Sequence, residues 1–155
     1  MPRYFTEISY LGTNYSGWQI QDNSMTLQEN IESKLSQILR NEISITGCGR
    51  TDSGVHASQY YFHFDTEDDI EEPLLVYKLN RMLSHDIGVK RIFEVKENHH
   101  ARFDASERTY NYRIIFRKDP FFKDIAFLYN QSEIPEFEKV NQAAQMLLSD
   151  RKSVV

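Results

Sequence analysis

The sequence is short of several things, and each shortage closes off a class of protein. With one cysteine, Cys48, among 155 residues it can build no internal disulfide framework. A lone thiol suits a reducing compartment, so the cytoplasm is the expected location, and by position Cys48 reads as a small buried residue. No apolar run is long enough to span a bilayer, and residues 1–7 lack the apolar stretch of a signal peptide. Internal repeats and low-complexity tracts are missing as well. No metal site is expected: the adjacent pair His99-His100 is poor ligand geometry, and no Cys or acid stands at ligand spacing from it. Gly47-x-Gly49-x-x-Asp52 lacks the third glycine of a dinucleotide fingerprint, and no Gly-Lys-Ser/Thr follows it. Strand-like residues come next where either motif needs a helix, which removes nucleotide-phosphate binding.

What is present describes a folded protein. Hydrophobic residues make up 40% and aromatics 13%, with nine Tyr and ten Phe that favour strands and stacking surfaces. The net charge of −5 argues mildly against a nucleic-acid partner. Six acids and no base lie within residues 65–72, however, and without that run the chain carries +1. The run reads as a solvated loop, and a basic face elsewhere is compatible with the total.

Periodicity predicts the elements. Residues 3–10 alternate as a strand with Tyr4, Thr6, Ile8 and Tyr10 on one side. Thr26-x-x-Glu29 is a capping box that opens a helix whose apolar face is Leu27, Ile31, Leu35, Ile38 and Leu39. Strands are predicted over 43–46, 58–65 and 87–95. Pro73 starts a helix near 73–84, marked by Leu74, Leu75, Tyr77, Leu79 and Leu83. Residues 106–117 read as a further strand with Tyr110, Tyr112 and Ile114 on one face, and 135–148 as a last helix. The order β-α-β-β-α-β-β-α begins as a split βαβ unit. This predicts an α+β, ferredoxin-like fold with a mainly antiparallel sheet and helices on one face.

The connection at 49–57 is far richer than a hairpin turn requires. Between two glycines stand Arg50, Thr51 and Asp52, where Arg50 is expected to keep the Asp52 carboxylate ionised and nucleophilic. Gly54 lets a ligand come close to the backbone. A plain turn former is the competing account of an Asp in such a loop.

Gly49-Arg50-Thr51-Asp52-Ser53-Gly54-Val55-His56-Ala57 resembles the active-site motif of the tRNA pseudouridine synthase A family. Further blocks resemble the same family in the same order: Tyr10-x-Gly12-Thr13-x-Tyr15-x-Gly17-Trp18-Gln19, Thr26-Leu27-Gln28-Glu29, Leu79-Asn80-x-x-Leu83-x-x-Asp86-Ile87, His100-Ala101-Arg102-Phe103-x-Ala105 and Arg108-x-Tyr110-x-Tyr112. Leu11 stands where the family usually has Asp, and Ser84 where it usually has Pro. The resemblance implies that uridine in the anticodon stem-loop of tRNA is isomerised to pseudouridine, with no metal or organic cofactor. It makes Asp52 the catalytic aspartate, places Tyr110 against the flipped uracil and uses Arg50 to extrude the base. By position alone Tyr110 reads as a core strand aromatic, and Arg50 as a surface cation pairing Asp52.

Thr51 and His56 are expected to order the loop beside the RNA. Trp18 and Tyr15 stack on bases or, for Trp18 equally, pack beneath their own loop. Arg102, Arg108 and Arg113 are candidates for phosphate contacts, with Arg3, Lys90 and Arg91 as weaker ones. The family's enzymes have a second, similarly folded half that completes the cleft, and they pair as homodimers around tRNA. By this resemblance residues 1–155 form the first half. The alternative function is a truncated, non-catalytic relative that binds RNA or a protein partner through an exposed sheet edge. A ferredoxin-like small-molecule domain is a third reading, resting on element order alone.

Overall fold

The alternating runs become strands because each has one face to bury. In the computed structural model, which describes residues 1–130 and 136–147, β1 spans Arg3–Tyr10, β3 Ala57–Asp65 and β4 Ile87–Val95. With β2 (Thr46–Gly47) they form a four-stranded sheet in the order β2-β3-β1-β4, every neighbouring pair antiparallel. That is the strand order of the split βαβ unit read from the sequence.

Helix α1 (Leu27–Leu39) starts where Thr26 caps it, the Thr26 hydroxyl accepting the Glu29 N–H at 3.4 Å. Helix α2 (Glu72–Met82) has Pro73 in its first turn. Leu27, Ile31, Leu35, Leu75 and Leu79 face the sheet and pack with Tyr4, Ile8, Tyr10, Tyr60, Phe62, Phe64, Val89 and Ile92 in one buried cluster. Leu74 and Tyr77 turn outward.

Two expectations are corrected. The strand expected over 43–46 pairs only at Thr46 and Gly47, although Ile43 and Ile45 are buried. Their amides are claimed by helix α1 instead: Ile43 N–H donates to Ser36 and Ile45 N–H to Glu32. The strand expected over 106–117 forms only as β5 (Ile114–Ile115), which pairs in parallel with β6 (Phe127–Leu128), and 106–113 has no ladder. Alternation specifies a face to bury, and 106–113 finds no strand to pair with among the described residues.

The contacts divide the chain into two units, Met1–Tyr110 and Asn111–Val155. In the second, β5 and β6 are followed by α3 (Phe137–Leu147), and no described residue of this unit is buried. The expected start and end of this last helix, Pro135 and Leu148, lie outside the described residues.

The sheet face away from the helices carries polar rows set by register. Glu7 lies between Tyr61 and Arg91, and accepts from Gln59, Tyr61 and Arg91 at 2.7–2.9 Å. Burial alone would push its carboxyl up, but these donors outweigh it and bring it down to about 2. A value depressed in the fold stabilises it above the ordinary carboxylate range, and that stabilisation is lost as pH falls from about 4.5 towards 2. Glu7→Gln is therefore expected to remove about 3 kcal/mol of the acid-induced loss in this window. Urea unfolding at a series of pH values measures it, and an unchanged acid limb would contradict it.

Candidate active site

The loop between β2 and β3 rests on aromatic side chains at one end of the sheet. Trp18 is only 2% exposed and lies 4.2 Å from the Tyr60 ring, and Tyr10 completes the cluster at 5.6 Å from Tyr60 and 6.4 Å from Trp18. Burial raises the Tyr60 hydroxyl far above its ordinary value, so it stays protonated and donates to the Gly49 carbonyl. Burial likewise pushes Tyr10 up to about 12, and its hydroxyl lies 2.9 Å from Thr51 Oγ1.

A second loop, residues 11–18, clamps the first from the side. Trp18 N–H donates to Thr51 O at 3.0 Å, while Gly54 N–H and Ser53 Oγ donate to Tyr15 O at 3.3 and 3.2 Å. Gly12 N–H donates to His56 Nδ1 at 2.9 Å, and Val55 N–H closes the turn on Asp52 O. The clamp demands glycine at two points. A Cβ on Gly12 would lie 2.0 Å from Val55 O, and one on Gly17, whose φ is +93°, would lie 2.5 Å from Thr51 O.

The clamp is itself anchored. Tyr15 is buried, and its hydroxyl donates to Asp86 at 2.8 Å and sits 2.8 Å from Ser84 Oγ. Ser84 thus adds a polar contact under the loop. Burial pushes the Asp86 carboxyl up, but bonds from Ser84, Tyr15 and Asn14 outweigh it and hold it below the usual range.

Above this support stand the two charged groups. Arg50 and Asp52 are exposed, and neither side chain has a hydrogen bond or ion pair among the described residues. The expected pairing of Arg50 with Asp52 is therefore not made. Thr51 and His56 are half-buried and hydrogen-bonded to Tyr10 and to Gly12 N–H. Trp18 and Tyr15 present no face for a base, which corrects their reading as stacking residues: the backbone bonds of 15–18 draw both rings inward. Tyr110 is 82% exposed, which overturns its reading as a core strand aromatic.

Comparison with known proteins agrees with the motif order. Over 147 residues the chain is 45% identical to the tRNA pseudouridine synthase A of Bacteroides thetaiotaomicron, covering 95% of this chain and 54% of that protein. It is 45% identical to the protein of that name from Parabacteroides distasonis over 148 residues, 95% of this chain and 58% of the relative. With the Aquifex aeolicus protein the identity is 43% over 114 residues, 74% of this chain and 47% of the relative. This chain belongs to the tRNA pseudouridine synthase A family. No family model matches it. The chain spans about half the length of the curated relatives it matches.

Seen within that family, several basic residues proposed for phosphate are occupied in the structure. Arg3 is bidentate on Asp65 at 2.7 Å, Arg91 is bound to Glu7, and Lys90 donates to Ser58 O. Arg113, in the second unit, lies over the Phe122 ring. Arg102 is exposed with its guanidinium uncommitted among the described residues. Arg108 is exposed but not idle: its Nη2 donates to Cys48 O at 2.8 Å and reaches Arg102 O at 3.4 Å. It ties the foot of the Asp52 loop to the segment around residue 102, and Tyr10, Tyr60 and Arg108 are the supports that sequence reasoning missed. Only the alternation that turns Tyr10 and Tyr60 to one face was a signal for them. Arg108→Ala is expected to lower stability by about 1 kcal/mol and speed amide exchange over 49–53. Exchange unchanged in that loop would remove the tie.

Proposed function

We propose that this chain supplies the catalytic carboxylate for isomerising uridine to pseudouridine in the anticodon stem-loop of tRNA. One observation carries the reading. Asp52 stands at the crest of a loop whose neighbours on both sides are bonded in place, while its own carboxylate is left uncommitted among the described residues. A group held so by its backbone and free at its tip is preorganised for a substrate. The names of the relatives agree with RNA as that substrate.

The reaction breaks the N-glycosidic bond, turns the uracil and rejoins it to the sugar through carbon. Atoms only move within one nucleotide, so no co-reactant is required. The uridine must leave its stack to meet Asp52. Arg50, exposed two residues before Asp52, serves to fill the vacated place or hold phosphate, and the exposed Tyr110 ring to lie against the extruded base. By the same resemblance the enzyme acts as a homodimer in the cytoplasm.

A second reading has its own observation. Phe121, Phe127, Phe137 and Met146 are all more than half exposed in a unit with no buried described residue. Such a surface is unusual for a self-sufficient domain and fits a relative that binds RNA without turnover until another polypeptide covers it. Incubating the chain with unmodified tRNA and quantifying pseudouridine in the anticodon arm separates the two. Turnover supports the isomerase. Salt-dependent binding without turnover, at every protein concentration tried, leaves the second reading standing.

A further inference from the structure

The sheet face away from the helices carries a column of rings that the proposed chemistry does not use. It begins inside the sheet, where Phe5 stacks on His63 at 5.8 Å with 21° between planes. The His63 ring meets His100 edge-on at 4.7 Å, and His100 stacks on Phe103 at 4.2 Å and 29°. Phe103 ends the column, 77% exposed.

An exposed phenylalanine alone signifies little, because single apolar side chains are common on surfaces. This one is held in place from below. His100 Nδ1 accepts the amides of Arg102 and Phe103 at 3.2 and 3.4 Å, fixing the turn that presents the ring. The Asp104 carboxylate accepts from His100 N–H and lies 2.9 Å from His99 Nδ1. Ala101 is buried, and its N–H donates to His63 Nδ1 at 3.2 Å. Burial, with Arg3 and His100 adding to it, lowers His63 to about 4, so near neutral pH Nδ1 keeps its lone pair for that bond.

The surroundings indicate what such a ring is for. Arg102, its guanidinium uncommitted among the described residues, is its immediate neighbour, and Arg108 joins this segment to the foot of the Asp52 loop. A rigid aromatic face with one side supported, the other open and cations alongside is the arrangement that takes an unpaired base and its phosphate. A stacked base loses little entropy on a ring that is already fixed.

We propose that Phe103, stacked on His100, is a platform for one unpaired nucleobase of the RNA, at a site separate from the uracil bound by Asp52. The inference rests on RNA being the ligand, as in the proposed function, and adds a stacking contact to it. Arg102 neutralises the phosphate beside that base. Stacking is tolerant of sequence, so the platform holds whichever base lies unpaired there.

Phe103→Trp provides the direct readout. Trp18 is the only other tryptophan and is buried, so it contributes a constant background. The new indole emission is expected to be quenched on saturation with tRNA or a single-stranded oligouridylate, with affinity within about 3-fold of the parent chain. Phe103→Ala is expected to weaken binding about 5- to 150-fold, the range of one lost stacking contact. The slope of log affinity against log salt should not change, because no phosphate contact is removed. Normal affinity in Phe103→Ala, unchanged emission in Phe103→Trp, or a shallower salt slope would each overturn the platform. Quenching by unmodified tRNA with no pseudouridine formed in that tRNA keeps the platform and removes the isomerase reading. Turnover with normal affinity in Phe103→Ala does the reverse, and a chain that binds neither RNA removes both.

Discussion

Asp52→Asn is expected to lower pseudouridine formation by more than about 10²-fold, the lower end of what a positioned acid or base contributes. The same variant should bind tRNA within about 3-fold of the parent and unfold at nearly the same temperature, because surface substitutions rarely exceed about 0.5 kcal/mol. These outcomes follow from how the residue is held. Its backbone carbonyl accepts the Val55 amide and closes the turn, and that bond survives the change to asparagine. Its side chain has no hydrogen bond or ion pair among the described residues, so removing the charge disturbs no internal contact.

A single-turnover assay with excess protein reads the chemical step apart from binding. Asp52→Glu sharpens the test, since it keeps the charge and moves it by one methylene. If placement by the clamped loop matters as much as charge, Asp52→Glu loses most of the activity too. A wild-type rate in Asp52→Asn would remove the carboxylate from the reaction and leave a loop that only binds.

Where local signals were strong, sequence and structure coincide. β1 and β4 begin and end at the residues their alternation marked, and α1 starts where Thr26 caps it. The misses share one cause: partners distant in sequence. The amides of Ile43 and Ile45 went to Ser36 and Glu32 on α1, which no pattern within 43–46 reveals. The alternation of 106–113 was real, but a strand also needs a neighbour to pair with.

The site divides in the same way. The exposure of Arg50 and Asp52 was legible because polar residues between glycines in a connecting loop stay at the surface. Trp18 and Tyr15 were not, since an aromatic among glycines reads equally as a stacking ring or an anchor. Their burial was decided by backbone bonds from Trp18 to Thr51 and from Gly54 to Tyr15, made between loops some 35 residues apart in sequence. Arg108 looked like a phosphate ligand because arginine commonly is one, and nothing local showed that the Cys48 carbonyl lay within its reach.

That interlocking of loops makes Gly12→Ala the most damaging small change outside the reacting groups. The added methyl carbon would lie 2.0 Å from Val55 O and 2.8 Å from Val55 C, inside any permissible contact, and both neighbours are backbone. No rotamer can relieve it, so one loop must move. Moving residues 11–12 strains the bond from Gly12 N–H to His56 and the bond from Leu11 N–H to Asp86 O, whereas moving Val55 opens the turn that carries Asp52. Overpacking of this kind costs about 1–3 kcal/mol. For a unit of this size that is a fall in melting temperature on the order of 10 °C. Displacing a catalytic group by about 1 Å costs on the order of 10²-fold in rate, so turnover should fall at temperatures where the variant is still folded. Gly88→Ala is the control, because its Cβ would meet only Ser9 Oγ at 3.5 Å, an ordinary contact. Melting curves and single-turnover rates of the two variants, taken side by side, test the clamp. If Gly12→Ala melts and reacts like Gly88→Ala, the 11–18 loop is not what holds Asp52 in place.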